Sequence, residues 1–249
     1  RGARVSARGT RVARAREAEA PVAESPEPME PLRTTELGDL WSALGASWVE
    51  HNRCVVPSTF PAEQEFGDTL DSYFYTRSAA SLFDVSFKVC VQITGADREF
   101  VADQFLTCNL RAMRTGDVQY ACVLDSKGLI LDDAFVFLED DSVNLLTSGC
   151  HSKQLVDYLG QYVIYVRRSG ADVDLSSFSH SVLALQGPRS REALAEALAE
   201  ARVQLTTLGE DVPLDGSILA QMPYMSALAL RSPRDRAVVL CAGITGEDG

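Results

Sequence analysis

FKVCVQITGADREFVADQFLTC, residues 87–108, is the stretch whose reading decides the fold. Val89, Val91 and Ile93 alternate with Lys88, Cys90 and Gln92, the period of a strand buried on one face. Gly95 ends that pattern, and ADREFVADQFLTC takes up a helical one with Phe100, Val101, Phe105 and Leu106 turned inward. Further strands follow: VQYACVLD (118–125) and LILDDAFVFLE (129–139), joined by the turn SKG, then DSVNLLTS (141–148). HSKQLVDYLGQYV (151–163) reads as a second helix. Residues 87–170 are therefore expected to form a compact α+β unit, with helices covering one face of an antiparallel sheet.

Working outward, TELGDLWSALGASWVE (35–50) opens on a helix cap and spaces Leu37, Leu40, Trp41 and Leu44 helically before Gly45. WVEHNRCVVPSTF (48–60) reads as extended and irregular, and DTLDSYFYTRSAASLFDV (68–85) as a helix running to Ala80 and then a strand. Beyond residue 170, VDLSSFSHSVLALQGP (173–188) reads as one strand with a Gly-Pro stop, and SREALAEALAEARVQL (190–205) as a helix. YMSALALRS and RAVVLCAGI read as strands with no visible partner, and TGEDG as a loop. Segments 35–86 and 171–249 are expected to form a discontinuous β-rich subdomain beside the α+β unit.

The chain has 249 residues, 46% of them hydrophobic, enough for a real core. The formal charge is −12, yet residues 1–16 hold six arginines and no acid, so the remainder is near −18. An acidic body argues against nucleic-acid binding, which leans on phosphate attraction. No apolar run is long enough for a membrane helix. Six cysteines and three histidines show no metal-ligand spacing, so no metal site is expected. Cys90 and Cys122, set in apolar runs, read as small buried residues of a reducing compartment. The arginine- and alanine-rich head fits an organelle transit peptide or a disordered basic tail. Residues 17–31 are rich in Pro and Glu and read as an extended acidic linker, so that 1–34 precede the folded body.

Five blocks then line up in order: LGASWVE, SLFDVSFKVCVQITGAD, GDVQYACVLDSKGLILDDAFVF, VLALQGP and GITGEDG. Together they resemble the folate-binding region of the aminomethyltransferase family, the T-protein of the glycine cleavage system, over residues 37–249. That resemblance implies the family's α+β fold: a ferredoxin-like α/β subdomain, a second β-rich subdomain, and a C-terminal part missing from this chain. It implies one-carbon transfer to tetrahydrofolate, with the aminomethyl group delivered on a lipoyl-carrier protein. Such chemistry needs a slot for a flat heterocycle, hydrogen bonds to its polar edge and a carboxylate near the reacting nitrogen.

The resemblance places the family's acid at Asn109, which can hydrogen-bond a pterin edge but cannot accept a proton at neutral pH. It places Phe87 where the family has histidine and Ile244 where it has tyrosine. Tyr120 and the Asp132–Asp133 pair stand in place, and Glu247 and Asp248 fall in the TGEDG loop. The implied cofactor-binding set is Asn109, Tyr120, Asp133 and Glu247. Each has a plainer reading: Asn109 as a left-handed turn former, Tyr120 as a core aromatic, Asp132–Asp133 as a strand-edge pair, and Glu247–Asp248 as a solvated loop.

Two functions stay open. One is an aminomethyltransferase-like folate binder whose activity is put in doubt by the lost acid. The other is a non-catalytic accessory or structural subunit of a larger organellar complex, a pseudoenzyme covered by protein partners. A third reading, iron–sulfur assembly, turns on Cys241. The basic head points to the mitochondrion, with a plastid as the alternative.

Overall fold

The computed structural model describes residues 31–61, 69–178, 180–200, 206–207, 216–231 and 236–243. The arginine-rich head, most of the acidic linker, Ile244, Glu247 and Asp248 lie outside the described residues. In chain order the elements are β1 (Arg33–Thr34), α1 (Gly38–Ala43), β2 (Trp48–His51), β3 (Cys54–Pro57), α2 (Thr69–Ser78) and β4 (Ser81–Asp84). Then come β5 (Cys90–Thr94), α3 (Arg98–Ala102), β6 (Val118–Leu124), β7 (Ile130–Glu139), β8 (Ser142–Thr147) and α4 (Ser152–Arg168). The rest are β9 (Asp174–Phe178), β10 (Leu183–Gln186), α5 (Ser190–Glu200), β11 (Thr206–Thr207), α6 (Gly216–Gln221), β12 (Ser226–Arg231) and β13 (Arg236–Cys241).

The centre is a five-stranded sheet of order β6-β7-β8-β5-β9, antiparallel throughout. The run β5-α3-β7-β8-α4-β9 is a ferredoxin-like βαββαβ unit, and β6 is an added edge strand. The sheet takes in β9, so it extends past residue 170. Val91, Ile93, Ala121, Val123, Ala134, Val136, Val143 and Leu145 form its buried face. Across them lie Leu155, Leu159 and Val163 of α4, spaced i, i+4, i+8 so that one helical stripe meets one sheet face. The last turn of α4 carries Arg167 and Arg168, which suit the negative end of the helix dipole.

Three smaller sheets flank this core: β1-β3-β2, β10-β4 and β11-β12-β13. The β10–β4 pair is antiparallel and joins residues 183–186 to residues 81–84, which are distant in the chain.

Several expectations are corrected. Residues 173–188 form two strands, not one, and β9 and β10 belong to different sheets. The supposedly irregular stretch after Trp48 is a β2–β3 hairpin. Its turn uses Asn52 and Arg53 at φ 48° and 60°, conformations that no hydrophobic alternation announces. Phe100 is 61% exposed, because α3 spans only five residues and turns just Val101 and Ala102 inward. In α1 only Trp41 is buried, while Leu40 and Leu44 face solvent. Cys90 and Cys122 are half-buried rather than interior, since both lie on the face of the sheet away from the helices. The last strands do have partners, for β12 and β13 pair with each other and β12 with β11.

Candidate functional site

Strand alternation gives the central sheet a second face, opposite the helices. There Cys90, Leu146, Phe135 and Tyr120 stand in one cross-strand row through the registers Cys90↔Leu146, Phe135↔Leu146 and Tyr120↔Phe135. The next row toward the sheet's end is polar. Cys122 pairs with Asp133, the Ser148 amide donates to Asp133 O at 3.1 Å, and continuing the β5–β8 register sets Lys88 across from Ser148. The result is an apolar floor bordered by a line of polar groups.

The far end of this face is closed. The β12–β13 hairpin meets it where the Val118 amide donates to Met225 O at 3.0 Å and the Ala227 amide to Gly116 O at 2.7 Å. The Arg236 guanidinium also contacts Glu139. Gly116 has φ 87°, and a Cβ there would come within 3.3 Å of Ala227 O, so glycine allows this close approach. Beneath the hairpin, buried Asn144 accepts from Gln92 Nε2 at 3.0 Å and donates to Glu139 Oε2 at 3.1 Å.

At the open end the two aspartates part company. Asp133 faces the polar row, and the Tyr120 hydroxyl donates to its Oδ2. That hydrogen bond, with burial second, pushes the Tyr120 phenol up to about 12. Tyr120 is 45% exposed, so it is a cleft residue and not a core aromatic. Asp132 turns the other way and is 5% exposed. Its Oδ1 accepts from Ser148 Oγ at 2.5 Å and from the Asp133 amide at 2.9 Å, while its buried Oδ2 has no partner.

The segment that leads to Asn109 meets the β6 edge after α3. Leu106 bridges Val123, and the Thr107 amide donates to Cys122 O at 3.1 Å. Asn109 follows two residues later, at the start of a short turn over Leu110–Ala112. Asn109 is exposed, with φ −95° and ψ 89°, so the left-handed turn reading is wrong. Its side-chain amide makes no hydrogen bond among the described residues and is free to meet a ligand. Of the four expected binding residues the structure joins Tyr120 and Asp133 directly, while Asn109 stands exposed on the neighbouring segment and Glu247 lies outside the described residues.

Two residues of this site escaped the sequence reading. Lys88 shares strand parity with Cys90 and Gln92, a signal already present in FKVCVQ, and it is half-buried at the mouth of the row. Its ammonium lies 5.9 Å from the Phe87 ring centroid and makes no hydrogen bond or ion pair among the described residues. Burial lowers its pKa, and Asp133 and Asp132 pull it partly back. His51 is the other: its ring meets Phe87 edge-on at 4.4 Å between centroids. The β2–β3 hairpin that carries it also sends Asn52 Nδ2 to Ser148 O at 3.2 Å. Phe87 is fixed in turn by Arg33 Nη2, which donates to its carbonyl at 2.7 Å.

Just before Phe87 sits a second polar centre. Asp84 Oδ2 accepts from Thr35 Oγ1 at 2.7 Å and Trp41 Nε1 at 2.5 Å, and Oδ1 accepts from the Ser86 amide at 2.9 Å. Burial alone would raise the Asp84 carboxyl, but the hydrogen bonds from Ser86, Thr35 and Trp41 outweigh it and hold the group below the ordinary value. Asp84 lines a cavity of about 190 Å³ with Trp41, Leu44, Pro57, Phe60 and Leu82. Cys241, by contrast, is buried and lies 2.9 Å from Arg191 Nη2, a packed position rather than one open to a metal cluster. Among the described residues, no group of three or more His, Cys, Asp or Glu side chains could hold a metal ion. No described helix is long and apolar enough to cross a membrane.

Comparison with known proteins gives this arrangement its family. The model of the GCVT N-terminal domain matches residues 37–249. The chain belongs to that family. An aminomethyltransferase of Mycobacterium avium is 33% identical over 217 residues, covering 86% of this chain and 50% of the relative. One from Xanthomonas oryzae is 27% identical over 219 residues, covering 86% and 53%. The chain spans about half the length of the curated relatives it matches. Among solved structures, the glycine cleavage system aminomethyltransferase T of Bartonella henselae superposes with a TM-score of 0.65 at 23% identity, covering 87% of this chain and 52% of that one. This likeness shows the fold, here that of the N-terminal region of an aminomethyltransferase.

Proposed function

We propose that this GCVT-domain chain binds reduced folate on the open face of its central sheet, with weakened one-carbon transfer. The observation that carries the reading is the meeting of Tyr120 and Asp133 at one edge of an apolar floor. The floor of Leu146 and Phe135 suits a flat ring, and the unspent Asn109 amide suits its polar edge. Asp133 is the carboxylate that remains at this edge, and it already accepts from Tyr120. Asn109 cannot take a proton, and losing a positioned acid–base group costs on the order of 10²–10⁴ in rate. If transfer persists, the partner is a lipoyl-carrier protein delivering an aminomethyl group. Isothermal titration with tetrahydrofolate tests the reading, and absence of heat up to millimolar ligand would end it.

A second reading, an accessory subunit of an organellar complex, draws on the exposed Leu70, Tyr73 and Phe74 of α2 and Leu82 and Phe83 of β4. Exposed apolar side chains on these two elements favour a covering partner. A free monomer recovered from native purification would count against it. The arginine-rich head supports a mitochondrial setting, with a plastid as the alternative; residues 1–34 fused to a fluorescent protein report which organelle receives them.

A further inference from the structure

We infer that the cavity beside Asp84 is a binding site for a small alkylated ammonium ion, with Asp84 as its counter-charge and Trp41 and Phe60 as its aromatic walls. The inference stands apart from whatever the open face of the central sheet binds. Six residues line this cavity of about 190 Å³, and Asp84 is the one that carries charge. The carboxylate is ionised at neutral pH, yet every group bonded to it is a neutral donor: the Thr35 hydroxyl, the Trp41 indole and the Ser86 amide. Among the described residues it has no ion pair. Arg33 of β1 acts with Asp84 on the Cys54 thiol, but its guanidinium donates to Phe87 O. A half-buried negative charge with no cation against it draws one in. The rest of the wall decides which cation. The Nε1 bond to Asp84 pins the Trp41 indole beside the carboxylate, and the Phe60 ring meets it at 5.7 Å and 68°. Two rings set nearly crosswise offer a corner to a cation attracted by π-faces. Leu44, Pro57 and Leu82 supply apolar surface and no side-chain oxygen, which suits alkyl groups on nitrogen and not a hydrated metal ion. The cavity is smaller than the roughly 300–1,000 Å³ of sites for drug-sized molecules and near the about 150 Å³ of an apolar cavity that takes benzene, so the ion has only a few carbons. Leu44 and Leu82 are 54% and 51% exposed, which leaves the cavity a mouth to solvent.

The test uses the full chain and its two tryptophans, Trp41 and Trp48. With 15N-labelled indoles, the Trp41 signal is the one that survives in Trp48→Phe. Choline is the probe, and 3,3-dimethylbutan-1-ol, the same shape with carbon in place of the charged nitrogen, is the control. Choline is expected to move the Trp41 indole saturably with a millimolar Kd, the scale of a ligand with so few heavy atoms. The neutral control should bind about tenfold more weakly or worse, and sodium chloride at the same concentration should leave the signal in place. Asp84→Asn keeps the shape and removes the charge, and is expected to weaken choline about tenfold or more. Phe60→Leu keeps an apolar wall without the ring, and should weaken choline roughly two- to thirtyfold. Asp133→Asn, on the open face of the sheet, should leave choline binding unchanged; a loss there would place the ion on the sheet and overturn the inference. It is overturned equally by a Trp41 signal that shows no saturable movement up to about 100 mM choline, by equal affinity for choline and its neutral isostere, or by full choline affinity in Asp84→Asn or Phe60→Leu. Should Asp84→Asn not fold, Phe60→Leu and the isostere comparison decide. None of these outcomes bears on folate binding.

Discussion

Replacing Asp84 with alanine removes the single acceptor shared by Thr35, Trp41 and the Ser86 amide. Thr35 and Trp41 are both nearly buried; Thr35 would keep only a long 3.5 Å contact with Ser86 Oγ, and the Trp41 indole would lose its acceptor. A hydrogen bond to a charged group contributes about 1.5–3 kcal/mol, and an orphaned buried donor costs about 1–3 kcal/mol. Because Asp84 is only half-buried and the three bonds are not additive, the expected net loss is about 3 kcal/mol. For a chain of this size that lowers Tm by about 6–12 °C. Asp84→Asn keeps one acceptor oxygen but turns a donor toward donors, and should lose about 2 kcal/mol.

The pH dependence gives the sharper test of the same contact. The folded Asp84 carboxyl is held below its ordinary value, so its contribution is fully present above the unfolded pKa of about 4 and fades as pH falls through the folded one. Urea unfolding of wild type and Asp84→Asn should therefore show a constant gap from pH 8 to 5, narrowing only below about 4. A gap under 1 kcal/mol at pH 7, or one that shrinks already between pH 8 and 6, would refute the assignment of Asp84 as an ionised hub.

Further outcomes follow from other parts of the molecule. Gly149→Ala should cost roughly 2 kcal/mol or more in urea unfolding, because Gly149 has φ 85° and a Cβ there would sit 2.1 Å from Phe87 O; a neutral result would mean the 148–150 turn does not press on Phe87. Leu159→Ala, in the middle of the α4 stripe, should cost about 2–5 kcal/mol, and a smaller loss would show that α4 is not packed on the sheet. Burial, with Glu139 adding to it, pushes the Cys90 thiol up to about 12, so at pH 8 it should resist a thiol reagent that labels exposed Cys150; equal labelling rates would contradict the packing around β5. If the transfer reading holds, Asn109→Asp should raise methylene-tetrahydrofolate formation from an aminomethylated carrier by on the order of 10², and an unchanged rate would remove Asn109 from the reaction.

Periodicity and ordered blocks made much of this molecule legible. The Val89, Val91, Ile93 alternation fixed which face of β5 is buried, and five blocks in order were enough to place the chain in its family. Those signals are local, because a strand's period and a helix's stripe are set by the backbone geometry of a few residues. Sequence reading could also nominate Asn109, Tyr120 and Asp133, but only as separate positions. What tertiary structure decided was their company. The β6–β7 register puts Tyr120 on Asp133, and the β5–β8 register carries Lys88 to the same row. Partners some fifty and more residues apart, such as Thr35 with Asp84 and Phe87 with Gly149, are chosen by packing across strands, and no local period encodes them. Likewise Phe100 looked apolar and inward by spacing, yet it faces water on the five-residue α3, whose buried residues are Val101 and Ala102. A helix's length depends on what it can pack against, and that is settled only when the whole sheet has formed.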